Sequence, residues 1–402
     1  MPDVFIASDN ILSPLGLTTA GNFSQLVKGV SGVREHEDAA MSDLPFYASL
    51  FEKDAGFSEG ADFSWDAALP ERGAAGYTKF EQLLIASIHD ALRGCGDLAW
   101  DKKTILIIST TKGNISLLET AAGDPAVHLA SAAGDPVLQE RVSLYTSAKL
   151  VAAHFGFVNP PIVVSNACIS GIMGILTATR LIGSGGYEHA VVAGADVISR
   201  FILSGFQAFQ AISPGLCKPF DLDRNGINLG EGAGTLILST HRKYADGIKV
   251  MGGAISNDAN HLSAPSRTGE ELAYAMTKAL REAGLGPTDI DFISAHGTAT
   301  VYNDEMEAKA ITLANLQSVP VNSLKGYYGH TLGAAGLIET IVSIHSLRQN
   351  LVLPTLGFER SGVTKPLNIC RELLAVPLKN CLKTASGFGG CNAALVLSKN
   401  EI

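Results

Sequence analysis

The chain has 402 residues, of which 46% are hydrophobic, 17% are charged and 42 are glycine, and its formal net charge is −9. This composition is typical of a compact α/β protein and excludes a disordered or fibrous chain, while the acidic balance argues against nucleic-acid binding. The N-terminus lacks the regions of a signal peptide, and no apolar run reaches the roughly 20 residues of a membrane span. Since the six cysteines show no paired spacing, we expect a cytoplasmic protein.

Apolar, β-branched segments alternate along the chain with helical stretches rich in small residues. This alternation predicts mostly parallel sheets with helices in alternating layers. In chain order, the predicted elements are a helix at Phe80–Arg93, strands at Thr104–Ser109 and Ile162–Ser165, a helix at Gly171–Ile182, strands at Ala190–Ala195, Thr235–Ser239 and Lys249–Ala254, a helix at Glu270–Ala283, a strand at Asp291–Ala295, a helix at Asp304–Ala314, a strand at Val319–Ser323, a helix at Ala334–Gln349 and a strand at Ala393–Ser398.

A polar run at residues 240–247 separates two predicted strands and predicts a division into halves 1–242 and 243–402. We expect both halves to supply residues to one site. We interpret the alanine-rich segment 119–143 as an extension of the first half that could contact a partner subunit or help to form a substrate tunnel.

Cys168 and His330 begin two copies of one local pattern. Glycines follow at the third and sixth positions after each residue, and an apolar helical stretch comes next. The repeat suggests a duplicated fold that places a nucleophile and an acid/base group at equivalent helix N-termini. Unpaired N–H groups and the helix dipole favour a thiolate at such a position. The alternative is a buried structural cysteine.

His296 and His330 each follow a predicted strand and precede a helix or a glycine turn, where catalytic groups often gather. Zinc is the rival use of cysteine and histidine, but the spacing lacks HExxH, HxxxH and CxxC, and we expect no metal. The glycine-rich segment 230–234 matches neither GxGxxG nor the P-loop, so we expect no nucleotide cofactor.

The chain resembles the elongating β-ketoacyl–acyl carrier protein synthases, which have the thiolase-like fold of two duplicated halves. The matching segments are collinear and span nearly the whole chain. They are Ser13–Gly16, Asn166–Cys168, Lys218–Gly226, Gly230–Gly234, His296–Thr300, Asp304 with Glu307, Lys325–His330, Gly333–Gly336, and Gly387–Gly390 with Asn392.

The resemblance implies an acyltransferase that condenses an acyl thioester with malonyl-acyl carrier protein and releases CO₂. Cys168 would carry the acyl group, and the backbone N–H groups of Cys168 and Phe388 would form the oxyanion hole. Gly387 and Gly389 would let Phe388 swing as a gate. His296 and His330 would stabilise the enolate, with His330 not acting as a base for the thiol.

Lys325 is expected to order the site by pairing with Glu307, with Asp304 joining that network and Thr298 and Thr300 supporting the His296 turn. The partners implied are acyl- and malonyl-acyl carrier protein, and a second subunit in a homodimer or a heterodimer with a related chain. The sequence departs from the family at Val301, where proline is common, and at Cys391, where threonine is usual.

These departures put the pathway in question, and some features are similar to synthases of aryl-polyene pathways. Two other functions stay open. A thiolase acting on coenzyme A thioesters would use Cys391 as its second cysteine. A non-catalytic partner subunit of the chain-length-factor type would typically lack the nucleophile that Cys168 supplies here.

Overall fold

A computed structural model describes residues 3–51, 76–96, 101–120, 136–259 and 264–400. The predicted extension at 119–143 lies largely outside these residues, because 121–135 are not described. No described helix combines the length and the apolar character needed to cross a bilayer.

The strands are β1 Phe5–Leu12, β2 Arg34–His36, β3 Phe46–Ser49, β4 Thr104–Ser109, β5 Ile162–Val164, β6 His189–Asp196, β7 Leu229–Gly230, β8 Gly232–Ser239, β9 Ile248–Asn257, β10 Phe292–Ser294, β11 Pro320–Asn322, β12 Leu351–Val352, β13 Asn368–Ile369, β14 Leu374–Ala375, β15 Asn380–Gly387 and β16 Cys391–Lys399. The α-helices are α1 Thr19–Val27, α2 Lys79–Arg93, α3 Leu117–Thr120, α4 Pro136–Val142, α5 Leu144–Phe155, α6 Ser170–Gly183, α7 Arg200–Ala208, α8 Glu270–Ala283, α9 Val301–Leu313, α10 Lys325–Tyr328 and α11 Ala335–Gln349.

Local chemistry fixes several helix ends. Helix α2 begins with a capping box, in which the Thr78 side chain accepts from the backbone N–H of Glu81 while the Glu81 carboxylate accepts from the backbone N–H of Thr78. Helices α5 and α8 end at Gly156 and Gly284 in the left-handed conformation, at φ values of 73° and 70°. These signals explain why the long helices match their predicted ranges to within a few residues.

The main sheet repeats one strand order in the two halves of the chain. Among the described residues its order is β13-β11-β10-β15-β16-β9-β1-β8-β6-β4-β5. In each half the first strand lies at the centre and is followed outward by the last, the last but one, the second and the third strand of that half, and the second half adds β13 at its edge. The strands at the two edges of the sheet pair in parallel, up to β15 on one side and β6 on the other. The strands between β15 and β6 pair antiparallel. The predicted α/β fold with duplicated halves is confirmed, while the division at residue 242 stays a prediction.

Helices α6 and α11 form the middle layer of the molecule. Helix α6 packs on β4 and β6 of the first half and on β9 and β16 of the second, and α11 also touches strands of both halves. Helices α2 and α8 cover the outer faces. The helices that begin beside Cys168 and His330 therefore lie against each other at the centre of the protein.

The repeated glycines allow this close helix contact. A Cβ atom on Gly171 would overlap the backbone nitrogen of Leu337, and one on Gly336 would lie 3.0 Å from the nitrogen of Ile172. A side chain at either position would push α6 and α11 apart. The glycine pattern in the sequence is therefore a requirement of the crossing that brings Cys168 and His330 together.

We expect Gly171→Ala to lower the free energy of unfolding by about 1–3 kcal/mol, because the added methyl group meets backbone that has little room to shift. Gly205→Ala is the matched control, since a Cβ there meets no atom within 4 Å and alanine in a helix is worth up to about 1 kcal/mol over glycine. Urea denaturation of both variants measures the difference. Equal stability of Gly171→Ala and the wild type would contradict the close crossing.

Candidate active site

Three loops bring together side chains that lie far apart in the sequence. Cys168 follows β5 and stands two residues before α6, His296 follows β10, and His330 precedes α11. Ala167 has a φ of 44°, a left-handed conformation that costs energy for a residue with a Cβ. This sharp turn directs the next residue, Cys168, toward the two histidines.

The three side chains form one compact, buried cluster. The Sγ of Cys168 lies 3.0 Å from Nε2 of His330, and the rings of His296 and His330 meet edge to face with their centroids 5.0 Å apart. The side chains are at most 9% exposed. The predicted trio is therefore assembled in a single site by both halves of the chain.

A cavity of about 440 Å³ opens onto this cluster. Its walls include Phe206 and Phe209, the Thr298–Thr300 turn and the glycine turn at Phe388. A pocket of this size that ends at a thiol and two imidazoles suits a flexible substrate arm with its reactive group at the end.

Burial dominates the acidity of the thiol. It raises the pKa of Cys168 to about 12, with the nearby Cys391 adding to the effect, although the backbone N–H of Phe388 donates toward the sulfur. The thiolate expected from the helix N-terminus is therefore outweighed by desolvation. A thiol this weakly acidic needs a base, and Nε2 of His330 is within reach.

The two histidines are held in the neutral form. Burial, followed by the charge of Lys325, moves the pKa of both His296 and His330 well below the usual value of 6.5. Their Nδ1 atoms have no hydrogen-bond partner among the described residues. The thiol of Cys168 and Nε2 of His330 therefore share a hydrogen bond between two neutral groups, whose direction follows the tautomer of the ring. This contact was not expected from the sequence.

The same three residues could be considered as metal ligands, because their donor atoms all lie within 4.8 Å of one another. A metal would need the thiolate form of Cys168, whereas burial raises the pKa of that thiol. The group also offers three ligand atoms, one sulfur and two imidazole nitrogens, and includes no carboxylate. The expectation of no metal stays a prediction.

The glycine turn after β15 lies directly against the cysteine. A Cβ on Gly387 would come within 2.9 Å of the Cys168 nitrogen, and Gly389 has a φ of 84°. The Phe388 ring is 40% exposed and packs between Phe206 and Phe209, with centroid distances of 5.7 and 5.6 Å. The turn thus puts one backbone N–H at the sulfur and one aromatic ring at the cavity wall.

The predicted pairing of Lys325 with Glu307 is wrong. Lys325 forms a fully buried ion pair with Glu339 of α11. The Glu307 carboxylate instead accepts hydrogen bonds from the backbone N–H groups of His296 and Gly297, at 2.8 and 2.6 Å. Glu307 therefore shapes the turn of His296, while Glu339 anchors the segment of His330.

Asp304 does not join the lysine pair either. Its carboxylate accepts from the backbone N–H of Thr298 at 3.0 Å and from that of Phe220 at 2.7 Å, and burial raises its pKa to about 7. The hydroxyl groups of Thr298 and Thr300 lie 2.8 Å apart and share a hydrogen bond. These contacts link Asp304, Thr298 and Thr300 in the turn that follows His296.

Glu339 and Lys383 were not predicted from the sequence to lie at the site. Both are buried ionisable residues within apolar segments, Glu339 in α11 and Lys383 in β15. That pattern was a usable signal, because a charge at an interior position of a buried element needs a partner. Their nearness to the histidines depends on the packing of α11 against β15.

Comparison with known proteins gives a consistent result over the whole chain. Residues 1–243 match the family model described as beta-ketoacyl synthase, N-terminal domain, and residues 248–359 match the one described as beta-ketoacyl synthase, C-terminal domain. The 3-oxoacyl-[acyl-carrier-protein] synthase 2 of Vibrio cholerae is 30% identical, over 98% of this chain and 99% of that protein. The corresponding protein of Rhizobium meliloti is 29% identical over 99% of each.

Solved structures agree with these matches. The ishigamide ketosynthase/chain length factor superposes with a TM-score of 0.86 at 26% identity and covers 100% of both chains. A ketosynthase solved in complex with its chain length factor, from Xenorhabdus doucetiae, gives a TM-score of 0.82 at 25% identity and covers 99% of this chain and 98% of that one. The fold expected from the sequence is confirmed by these superpositions.

Proposed function

The chain belongs to the β-ketoacyl synthase family, and on that premise we propose that Cys168, His296 and His330 carry out its condensation chemistry. It is an acyltransferase of the 3-oxoacyl-[acyl-carrier-protein] synthase type, which joins an acyl thioester to malonyl-acyl carrier protein with loss of CO₂. The contact of 3.0 Å between the Cys168 sulfur and His330, with His296 beside it under the cavity, carries the assignment of residues.

In the first half-reaction, Nε2 of His330 takes the thiol proton while the sulfur attacks the acyl thioester carbon. The backbone N–H groups of Cys168 and Phe388 stabilise the resulting oxyanion. The carrier thiolate then leaves, takes the proton from His330, and departs as a thiol. The acyl group remains on Cys168, whose weakly acidic thiol needs this base.

In the second half-reaction, malonyl-acyl carrier protein enters the same cavity. Neutral His296 and His330, the latter now as the tautomer with its proton on Nε2, each donate one N–H to its thioester oxygen, so that the electron pair released with CO₂ forms an enolate. The enolate carbon attacks the acyl group on Cys168, and the cysteine leaves and regains a proton from solvent. The neutrality of both imidazoles suits this role, because a neutral ring keeps one N–H to donate.

The Phe388 ring is proposed as the gate of the cavity. Two left-handed glycines, Gly389 and Gly390, follow it and permit backbone rotations that other residues resist. The ring closes against Phe206 and Phe209, both of which line the cavity. Its movement would separate the entry of the acyl chain from the entry of the malonyl group.

Incubation of the protein with acyl- and malonyl-acyl carrier protein tests this function. We expect one CO₂ for each 3-oxoacyl product, measured by ¹⁴C release and mass spectrometry. The thiolase alternative instead needs condensation of two acetyl-coenzyme A molecules that depends on Cys391. The thiol of Cys391 donates to the backbone oxygens of Phe388 and Asn166, and these contacts suit a structural role.

The second candidate function is that of a non-catalytic partner subunit. It is considered because two of the superposed structures combine a ketosynthase with a chain length factor. The presence of Cys168 and both histidines favours a catalytic chain. We propose that it works in the cytoplasm as a dimer, either of two identical chains or with a related subunit, in fatty-acid or polyketide synthesis. Sizing of the purified protein, together with the mass of an acyl adduct, separates these possibilities.

A further inference from the structure

Lys383 is a fully buried lysine that the chemistry described above does not use. It lies in β15, and its side chain is 0% exposed. Its Nζ is 2.7 Å from Oε2 of Glu339, and it donates to the backbone oxygens of Ser294 and Ala295, at 3.1 and 3.2 Å. Two hydrogen bonds and one ion pair therefore surround the ammonium group, which favours its charged form.

These contacts connect the two histidine segments. Ser294 and Ala295 are the residues directly before His296. Glu339, on the other side of Lys383, also holds Lys325, which begins the short helix leading to His330. A continuous chain of buried hydrogen bonds and ion pairs therefore joins the backbone of one imidazole to the backbone of the other.

The charges of this cluster balance only when Lys383 is included. The cations are Lys325 and Lys383, and the facing carboxylates are Glu339 and Glu307. Burial and Lys325 lower the pKa of Lys383 while Glu339 opposes that shift. Other titratable or charged groups of the described residues near the histidines or these carboxylates include Cys168, Asp304, Arg224, Tyr328 and Cys381.

We propose that Lys383 is a positioning residue for the malonyl half of the reaction, which ties the His296 segment to the Glu339–Lys325 pair and fixes the spacing of the two imidazoles. The spacing matters because both rings must reach one thioester oxygen at the same time. A shift of about 1 Å in such an arrangement can cost about 100-fold in rate. This inference rests on the proposed function of the histidine pair.

Lys383 also contributes to the neutrality of the rings. Its positive charge disfavours a second positive charge nearby, and it acts with burial and Lys325 to lower the pKa of both His296 and His330. Removal of that charge raises both histidine pKa values toward 6.5. The malonyl half-reaction needs neutral imidazoles, so the acid limb of its pH–rate profile then moves to higher pH.

Lys383→Met tests the proposal, because methionine keeps most of the apolar stem of lysine and removes its charge. We expect the rate of CO₂ release from malonyl-acyl carrier protein to fall by about 10- to 100-fold. Acyl transfer to Cys168, followed by intact mass at a pH above the acid limb, should change by less than about 3-fold, because Lys383 bonds directly to the His296 segment and reaches the His330 segment only through Glu339 and Lys325. The acid limb of CO₂ release should move to higher pH.

Lys399→Met is the matched control, since Lys399 lies on the next strand and also donates to backbone and amide oxygens, those of Leu347 and Asn350. We expect it to leave both half-reactions unchanged. The amide of Lys383→Gln, although shorter than the lysine, can still donate to one carbonyl. We therefore expect its rate of CO₂ release to fall less than that of Lys383→Met.

An equal loss in both half-reactions, an unmoved acid limb, or failure of both Lys383 variants to fold would overturn the positioning role. A wild type that makes neither acyl-Cys168 nor CO₂ would instead contradict the proposed function itself. The two failures are therefore distinguishable in one set of assays.

Discussion

Cys168→Ala is expected to abolish condensation, with a loss of at least about 1,000-fold in the rate of 3-oxoacyl formation. The variant lacks the sulfur that contacts His330, so no acyl-enzyme forms and the enolate has no thioester to attack. Intact-mass analysis should show an acyl adduct on the wild type and none on the variant. Alanine removes only the sulfur from a buried position, so we expect the fold to persist.

The same variant should still release CO₂ from malonyl-acyl carrier protein, within about 10-fold of the wild-type rate. Decarboxylation needs the histidine pair and not the sulfur, by the mechanism proposed above. Cys370→Ala is the matched control, because Cys370 is also buried with a raised pKa and does not line the cavity. Undiminished condensation by Cys168→Ala would refute the covalent mechanism.

Replacing the two histidines one at a time should separate the half-reactions. His296→Ala is expected to reduce CO₂ release by about 100- to 1,000-fold, the effect of deleting one donor to a developing oxyanion. Acyl transfer should remain within a few-fold, since the recorded hydrogen bond of the thiol is to His330. His330→Ala should reduce both half-reactions, acyl transfer by about 100-fold or more, because it also removes the base for a thiol of pKa about 12.

Single-turnover acylation, measured by quenched intact mass, and ¹⁴CO₂ release provide the two rates for each variant. Acyl transfer that is equally fast in His330→Ala and in the wild type would restore the role expected from the sequence, in which His330 serves the enolate alone. Identical losses for both variants in both assays would show that the histidines act as one structural unit.

The helix ends and the buried strands were predictable because their signals are local. The predicted helix Glu270–Ala283 matches α8 residue for residue, as the acidic residues of its first turn and the following glycine lead one to expect. The central strand β1 was missed, because its sequence, Phe5–Leu12, mixes apolar residues with Ser8, Asp9 and Asn10. Its polar side chains find partners only in tertiary contacts, such as those of Asp9 with His345 and Arg348.

The ion pair of Lys325 likewise could not be predicted from local sequence. Lys325 and Glu307 both belong to recognisable motifs, which suggested that they pair, yet Lys325 pairs with Glu339 fourteen residues further on. Glu307 is occupied by two backbone N–H groups of the His296 turn. Motif membership indicates that residues lie near a site, whereas the choice between two nearby carboxylates depends on how helices α9 and α11 are oriented.

The family, the duplicated fold and the choice of Cys168, His296 and His330 as candidate site residues were accessible from the sequence, because ordered motifs, glycine spacing and strand-to-helix turns are properties of short segments. The protonation states of these groups became clear only from the packed structure. Burial raises the pKa of the thiol above the value that a helix N-terminus would favour, and it keeps the imidazoles neutral. Desolvation and the Lys325–Glu339–Lys383 cluster are consequences of packing between distant segments, which no local pattern specifies.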